Sequence, residues 1–513
     1  MTNLTQKVLA FIEPDSSKWK DWLEHKDLYP VSQSEGILEF MECMHEAKAN
    51  SFKVLVAGDY DCDGIMATTI MVDGLRKYGL EVGFYIPNRI KEGYGLNVNT
   101  VELAYKKGYK IIITVDNGVK AFDALERASQ LGIQTIVTDH HTMDEFVDCD
   151  CLVHPEEMED CFSTLCGAGV AYECMRALHI SNDFHLMCAC VASIGDVMKV
   201  IGQTRVIIQK GIEKLNQTQE PHFMSLANDK VVNETSIGFQ IVPKLNALGR
   251  LSNLANVNNA VRYFLSESSI QQFALQIDSI NTQRKNMSMT MVEDVLKYCD
   301  VREHIFYVSD DHYHEGLIGL AAGAICSQYD KPTIIATSRD GITKCSMRSP
   351  EGFNCMDFLH DFEFFETFGG HAQASGFSFN DEYEQDFVDY IHERIYSYEW
   401  QKEKKECLMV VSQELSLNEV RSLDVLRPFG PGFEMPTLEL IHPNIKNIFD
   451  IQSGKHRKYI VDNGLQCMNF NQSQKDLQSK NKEVSSFEGT VNLNYYQQRY
   501  SVNFMIDKIN YEN

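Results

Sequence analysis

Three apolar runs in the first third of the chain break off on acidic or imidazole side chains. Val54-Leu55-Val56-Ala57-Gly58 leads into Asp59-Tyr60-Asp61-Cys62-Asp63-Gly64, Ile111-Ile112-Ile113-Thr114-Val115 into Asp116-Asn117-Gly118, and Thr135-Ile136-Val137-Thr138 into Asp139-His140-His141. Each run has the length and β-branched content of a strand buried on both faces of a parallel sheet. Helical runs such as Ile65–Tyr78, Ala121–Leu131 and Gly169–His179 alternate with strands, which predicts a doubly wound α/β unit over residues 50–265.

Further along, Phe273, Ile277, Ile280, Met287, Met291, Val295 and Tyr298 recur at helical steps, with no Gly or Pro from 268 to 300. This pattern predicts one long connecting helix over 266–300, its methionines serving as core filler. A smaller α/β unit over 301–404 follows, with strands at His304–Val308 and Thr333–Ala336 around a helix at Gly316–Ser327. After residue 405 the pattern changes to short strands, Cys407–Val411, Tyr459–Val461, Val491–Leu493 and Ser501–Ile506, the signature of an OB-like β-barrel over 405–513. Asn471–Ser486, rich in Gln, Asn, Lys and Ser, is expected to be a mobile loop, and residues 1–49 a short helical segment containing Trp19 and Trp22.

Length supports this division, because 513 residues exceed what one hydrophobic core serves. No apolar stretch approaches the ~20 residues of a membrane span, and the first residues lack a signal-peptide pattern, so a cytoplasmic location is expected. In that compartment the 15 cysteines are expected to be reduced. Cys149, Cys151, Cys161, Cys166, Cys188 and Cys190 include no CxxC pair, which argues against structural zinc. Lys and Arg number 47 against 72 Asp and Glu, a net charge of −25. A phosphate-bearing polymer would then have to be held by a local basic track. Candidates are Arg89, Lys91, Lys244, Arg250, Arg284, Lys285, Arg348 and the basic run Lys455-His456-Arg457-Lys458.

In an open parallel sheet the site lies beyond the carboxyl ends of the strands, so the three polar clusters should converge. Carboxylates with an imidazole make a hard N/O site suited to a pair of Mn²⁺ or Mg²⁺ ions, which together clamp both oxygens of a phosphoryl displacement. An EF-hand reading of Asp59–Gly64 fails, because the twelfth position of such a loop is Ile70, within an apolar helix. A second Asp-Asn-Gly, at 462–464, has no buried strand or partner cluster and is read as a turn.

Asp61-Cys62-Asp63-Gly64, Asp116-Asn117-Gly118 and Asp139-His140-His141 resemble the first motifs of the DHH phosphoesterase superfamily, and within it the chain is similar to the RecJ exonucleases. Supporting stretches are Pro87-Asn88-Arg89, Glu92-Gly93-Tyr94-Gly95-Leu96, Cys166–Tyr172, Ala192–Val197, Pro243–Arg250, His314–Gly319, Phe368–Gly376 and Pro428–Gly432, in family order over nearly the whole chain. The resemblance implies a DHH catalytic domain, a DHHA1 substrate-binding domain over 301–404 and an OB-like nucleic-acid-binding domain. It implies that Asp61, Asp63, Asp116, His140 and Asp196 hold the two metals, with Asp116 bridging and Asp59 a ligand or an orienting group. Asp139 would fix a neighbouring imidazole, and His141 would face the scissile phosphate. Arg89, Ser346, Arg348 and His371, with Gly369 and Gly370, would read a terminal 5′-phosphate, and Asn246 with Arg250 would steer the strand.

The implied activity is 5′-to-3′ degradation of single-stranded DNA in repair and recombination, by a monomer whose cleft excludes duplex. Its partners would be a helicase and a single-strand-binding protein. Tyr495, Tyr496, Arg499 and Tyr500 offer faces on which bases could stack. The chain departs from the family at Cys62, Glu315 and Ser375, none of which carries the implied chemistry. One alternative is a DHH/DHHA1 phosphodiesterase acting on short oligoribonucleotides or cyclic dinucleotides, against which the residues after 405 argue. The other is a non-catalytic nucleic-acid scaffold, against which the complete ligand set argues.

Overall fold

The computed structural model describes residues 1–513 except His25, 403–405, Ser453, 471–482, 497–498 and Asn513. Three sheets organise the described residues. The first contains β1 (Lys53–Ala57), β2 (Glu81–Tyr85), β3 (Ile111–Val115), β4 (Gln134–Thr138) and β5 (Cys151–Val153), all parallel, in the order β2-β1-β3-β4-β5. Alternate residues of the strands enter two apolar layers. Val54, Val56, Ile111 and Ile113 face one, and Leu55, Ala57, Ile112 and Val137 face the other. The strand order reverses between β1 and β3, which places the crevice of a doubly wound sheet at their carboxyl ends.

A 26-residue helix, Ile270–Val295, leaves this unit. Ala274 and Ile277 lie in the first core, whereas Met291 and Val295 pack with Phe306, Leu317 and Ile318 of the next unit. The second sheet comprises β6 (Phe306–Ser309), β7 (Thr333–Arg339), β8 (Ile342–Arg348), β9 (Phe365–His371) and β10 (Ala374–Asn380), ordered β6-β7-β8-β10-β9. Only β6 and β7 pair in parallel. β9 lies at one edge and is exposed over most of its length.

The third sheet has seven strands, β11 (Leu408–Val410), β12 (Leu438–Ile441), β13 (Asn447–Ile451), β14 (His456–Ile460), β15 (Gln466–Asn469), β16 (Val484–Tyr496) and β17 (Arg499–Tyr511), in the order β11-β12-β16-β17-β15-β14-β13. β16 and β17 run longer than the apolar fragments suggested, because exposed Asn492 and Asn494 alternate with inward residues. Ser485 and Ser486 accordingly belong to a strand, while residues 471–482 of the expected mobile loop lie outside those described. Of the stacking set Tyr495, Tyr496, Arg499 and Tyr500, only the Tyr500 side chain is among those described; it is half exposed, with Arg421 4.4 Å from its ring. In the basic run on β14, strand alternation turns Arg457 inward, where it pairs with Asp450 at 2.8 Å.

The first 49 residues divide between two cores. Leu4, Val8 and Leu9 of the helix Asn3–Ile12 are buried with Leu438, Leu440 and Phe504 of the third sheet. The helix Glu35–Ala49 instead buries Ile37, Phe40, Met44 and Ala47 in the first core. Between them Trp22 stacks on Phe433 at 4.2 Å, and the guanidinium of Arg205 lies against both rings. All fifteen cysteines are free thiols. Among the described residues no helix is long and apolar enough to cross a membrane.

Candidate metal centre and cleft

The turn after β1 is built by backbone constraints. Asp61 caps the helix Cys62–Tyr78, its Oδ1 accepting the Gly64 N–H at 3.1 Å. Gly64 has no alternative, since a Cβ there would sit 2.4 Å from the Asp59 carbonyl oxygen. Asp63 is buried and accepts the N–H groups of Gly167 and Ala168, both at 2.7 Å. Those are the first donors of the helix Gly167–Ala177, so its positive end holds the carboxylate. Gly167 is also forced: its Cβ would fall 2.5 Å from the Cβ of Asp116.

Asp116 closes β3 with φ +61°, a left-handed conformation that costs a non-glycine residue strain. Its neighbours hold it there. The Asn117 side chain accepts the Leu96 N–H at 3.0 Å and donates to the carbonyls of Ala57 and Val115. Tyr94 donates its hydroxyl to the Asp116 carbonyl at 3.0 Å. After β4, Asp139 accepts the N–H groups of Val119, His140 and His141, and the Nδ1–H of His141 at 2.8 Å. His154, which no sequence pattern singled out, donates its Nε2–H to the His141 carbonyl at 3.0 Å while its Nδ1 accepts the Glu156 N–H.

These supports bring the acidic and imidazole groups together. His140 Nε2 lies 3.2 Å from Asp116 Oδ1, 3.5 Å from Asp196 Oδ2 and 3.7 Å from Asp63 Oδ2. Three overlapping donor sets result: Asp59, Asp61 and Asp116; Asp63, His140 and Asp196; and Asp116, His140 and His141, each within 4.8 Å. Burial raises Asp59, Asp61 and Asp116 above the usual carboxylate range, and neighbouring carboxylates add to it. The same causes push Asp196 up to about 8. Burial lowers His140. It would lower His141 too, but Asp139 outweighs it and lifts that imidazole to about 9. Burial also works against ionised Asp139, and the His141 hydrogen bond overcomes it, leaving Asp139 low.

Buried Asp59 Oδ1, Asp116 Oδ1 and His140 Nε2 have no hydrogen-bond partner. Orphaned buried acceptors of this kind call for a cation. All the donors are hard oxygen or imidazole nitrogen atoms, while burial keeps the Cys62 thiol protonated. The residues fit Mn²⁺ or Mg²⁺.

A cleft of about 820 Å³ opens over these groups. His140, His141, Asp196 and Tyr94 line one wall, and Phe368, Gly369, Gly370 and His371 of β9 line the other. Gly370, at φ +144°, packs so close to the Ala374 carbonyl that a Cβ would lie 2.4 Å from it. Nearby is a cationic group. Arg250 is lowered to about 10 by burial and by Arg89, Arg348 and Arg284. Arg348 donates to Ser346 Oγ at 3.0 Å, and Arg89 lies over the Tyr60 ring at 4.8 Å. None of these four arginines has a carboxylate partner among the described residues, whereas Lys244 is neutralised by Asp278 at 2.8 Å. Clustered, partly buried guanidiniums without carboxylate partners suit an anion. Asn246, expected to steer the strand, has its Oδ1 engaged within the protein, where it accepts the Cys62 N–H at 2.7 Å.

Comparison with known proteins accords with this geometry. Residues 53–194 match the DHH family, N-terminal domain, 302–397 the DHHA1 domain and 408–508 the RecJ OB domain. The chain is 27% identical over 506 residues to the single-stranded-DNA-specific exonuclease RecJ of Bacillus subtilis, covering 94% of this chain and 64% of that protein. Against the Haemophilus influenzae protein of the same name it is 29% identical over 461 residues, 81% of this chain and 79% of the relative. The crystal structure of Thermus thermophilus RecJ in complex with Mn²⁺ superposes with a TM-score of 0.84 at 22% identity, covering 99% of this chain and 78% of that one. With DHH, DHHA1 and RecJ-type OB domains in order, and RecJ proteins at 27% and 29% identity aligned along most of its length, the chain has the domain architecture of RecJ-type DHH/DHHA1 proteins.

Proposed function

We propose that the protein is a metal-dependent exonuclease that degrades single-stranded DNA from its 5′ end. The observation that carries this reading is the set of overlapping donor groups sharing Asp116 and His140, facing Gly369–His371 at the end of β9 across one cleft. The relatives' name, single-stranded-DNA-specific exonuclease, supplies the substrate class, and a solved RecJ with Mg²⁺ as well as one with Mn²⁺ supports either ion.

Asp59, Asp61, Asp63, Asp116, His140 and Asp196 would hold the two ions. When bound, the pair supplies Lewis-acid polarisation of the scissile phosphate and a nucleophilic water near neutral pH. His141, fixed through Nδ1 by Asp139, turns its Nε2–H to the cleft and stabilises charge developing on the phosphate oxygens. Arg89, Arg250 and Arg348, with Ser346, hold the terminal 5′-phosphate, and Gly369, Gly370 and His371 line the strand's opposite side. The C-terminal OB domain lengthens the path for a polymer, which favours DNA over short oligoribonucleotides or cyclic dinucleotides.

On this reading the enzyme acts as a cytoplasmic monomer in repair and recombination. A helicase and a single-strand-binding protein would present its substrate. The test compares a 5′-phosphorylated single strand with a blunt duplex of the same sequence in Mn²⁺. The single strand should be consumed at least tenfold faster, and equal rates would refute the reading.

A further inference from the structure

We propose that Asn246 is a positioning residue of the metal centre, acting on the turn that carries Asp59 and Asp61. The inference rests on the metal-dependent reading above and deepens it. Cys62 is the first residue of the helix Cys62–Tyr78, so its N–H is one of the donors that a helix start leaves without an intrahelical partner. The cap residue Asp61 spends its Oδ1 on the Gly64 N–H. The Cys62 N–H therefore needs an acceptor from elsewhere, and Asn246 Oδ1 provides it at 2.7 Å across 184 residues of sequence.

The supporting contacts lie on the same helix, Val242–Arg250. Gly249, one turn beyond Asn246, lets this helix approach until a Cβ would be 2.4 Å from the Tyr60 carbonyl oxygen. On the other side, Gly195 packs against both Cys62 and Val242, with its Cβ position 3.3 Å from each. The turn from Tyr60 to Cys62 is thereby clamped between the helix of Asn246 and the helix end that presents Asp196. Removing the Asn246 acceptor frees the peptide between Asp61 and Cys62, which sets where the Asp61 carboxylate points. Supports of metal ligands typically change affinity ~10–100-fold when lost.

The experiment measures Mn²⁺ affinity by calorimetry in the DNA-free protein, and binding of a 5′-phosphorylated single strand in EDTA. Wild type, Asn246→Leu and Asn246→Asp are compared. Leu is close in size but has no acceptor, whereas Asp retains one. Asn246→Leu should weaken Mn²⁺ binding at least tenfold, with DNA binding in EDTA within twofold, and Asn246→Asp should return Mn²⁺ affinity to within threefold of wild type. Should the Leu variant fail to fold, Asn246→Ser, whose hydroxyl is too short to reach Cys62, replaces it. Mn²⁺ affinity changed less than threefold by loss of the acceptor, or not restored by Asp, overturns the proposal. A wild-type protein that binds no Mn²⁺ would instead overturn the reading beneath it.

Discussion

His140 Nε2 lies 3.2 Å from Asp116 Oδ1, both atoms buried and neither hydrogen-bonded. Two such groups facing each other without partners cost free energy that a cation between the donor sets would recover. Mn²⁺ should therefore raise the thermal midpoint, the rise growing with the logarithm of its concentration above Kd, and EDTA should reverse it. Burial and neighbouring carboxylates raise Asp116, and the same causes push Asp196 up to about 8, so protons compete with the ion and the Mn²⁺-induced shift should grow as pH rises toward 8. Asp116→Ala should abolish the shift. A shift that persists in the variant would place the ion elsewhere.

Asp139 makes four hydrogen bonds, three to backbone N–H groups and one to His141 Nδ1. Asn at this position keeps the volume but loses the charge that holds the imidazole. Asp139→Asn should lower single-turnover hydrolysis about 10–100-fold, the usual range for an orienting partner, while binding of single-stranded DNA stays within twofold. An unchanged rate would show that His141 does not depend on this pairing.

Asp73 accepts from the fully buried His185 at 2.7 Å and pairs with Lys77 at 2.6 Å. Burial disfavours its ionised form, but these two partners outweigh burial and leave its pKa below the usual 3.8. A lowered carboxylate stabilises the fold above its unfolded pKa, and the contribution is lost as pH falls through the folded value. Asp73→Asn should thus cost about 1–3 kcal/mol at pH 7, and the difference from wild type should shrink below pH 4. A constant difference from pH 7 to 3 in denaturant titrations would contradict the sign.

Arg205 links the first unit to the C-terminal one. Its guanidinium donates to the carbonyls of Leu426 and Pro428, both at 2.9 Å, and lies against the stacked rings of Trp22 and Phe433. Arg205→Leu strands those acceptors and loosens the docking of the third sheet and the N-terminal helix. Limited proteolysis should cleave the variant roughly tenfold faster within residues 1–34 or 405–513, as expected when an opening costs ~1.4 kcal/mol less. Equal cleavage rates would mean that apolar packing alone holds the unit.

The parallel sheet and the donors at the carboxyl ends of its strands were legible because β1, β3 and β4 are short runs rich in β-branched residues that lead into Asp or His, a local pattern. The long helix was legible from its unbroken period. What stayed hidden depends on contacts between distant segments. Nothing near Asp63 says that Gly167 and Ala168 will grip it from 104 and 105 residues away. The family motif around Cys166–Tyr172 marked the place but not its physical role. Likewise His154 and Asn246 act through backbone groups, which no pattern of side chains announces. The burial of Leu4, Val8 and Leu9 in the C-terminal core was out of reach for the same reason, since the partners lie some four hundred residues away.

The most direct test incubates the purified protein with Mn²⁺ and a 5′-phosphorylated single-stranded DNA labelled at its 3′ end, alongside a labelled RNA pentamer. Progressive shortening of the DNA from its 5′ end, with the pentamer left intact and no cleavage by Asp116→Ala, is the predicted result. Consumption of the pentamer alone, with the DNA untouched, would contradict the assignment.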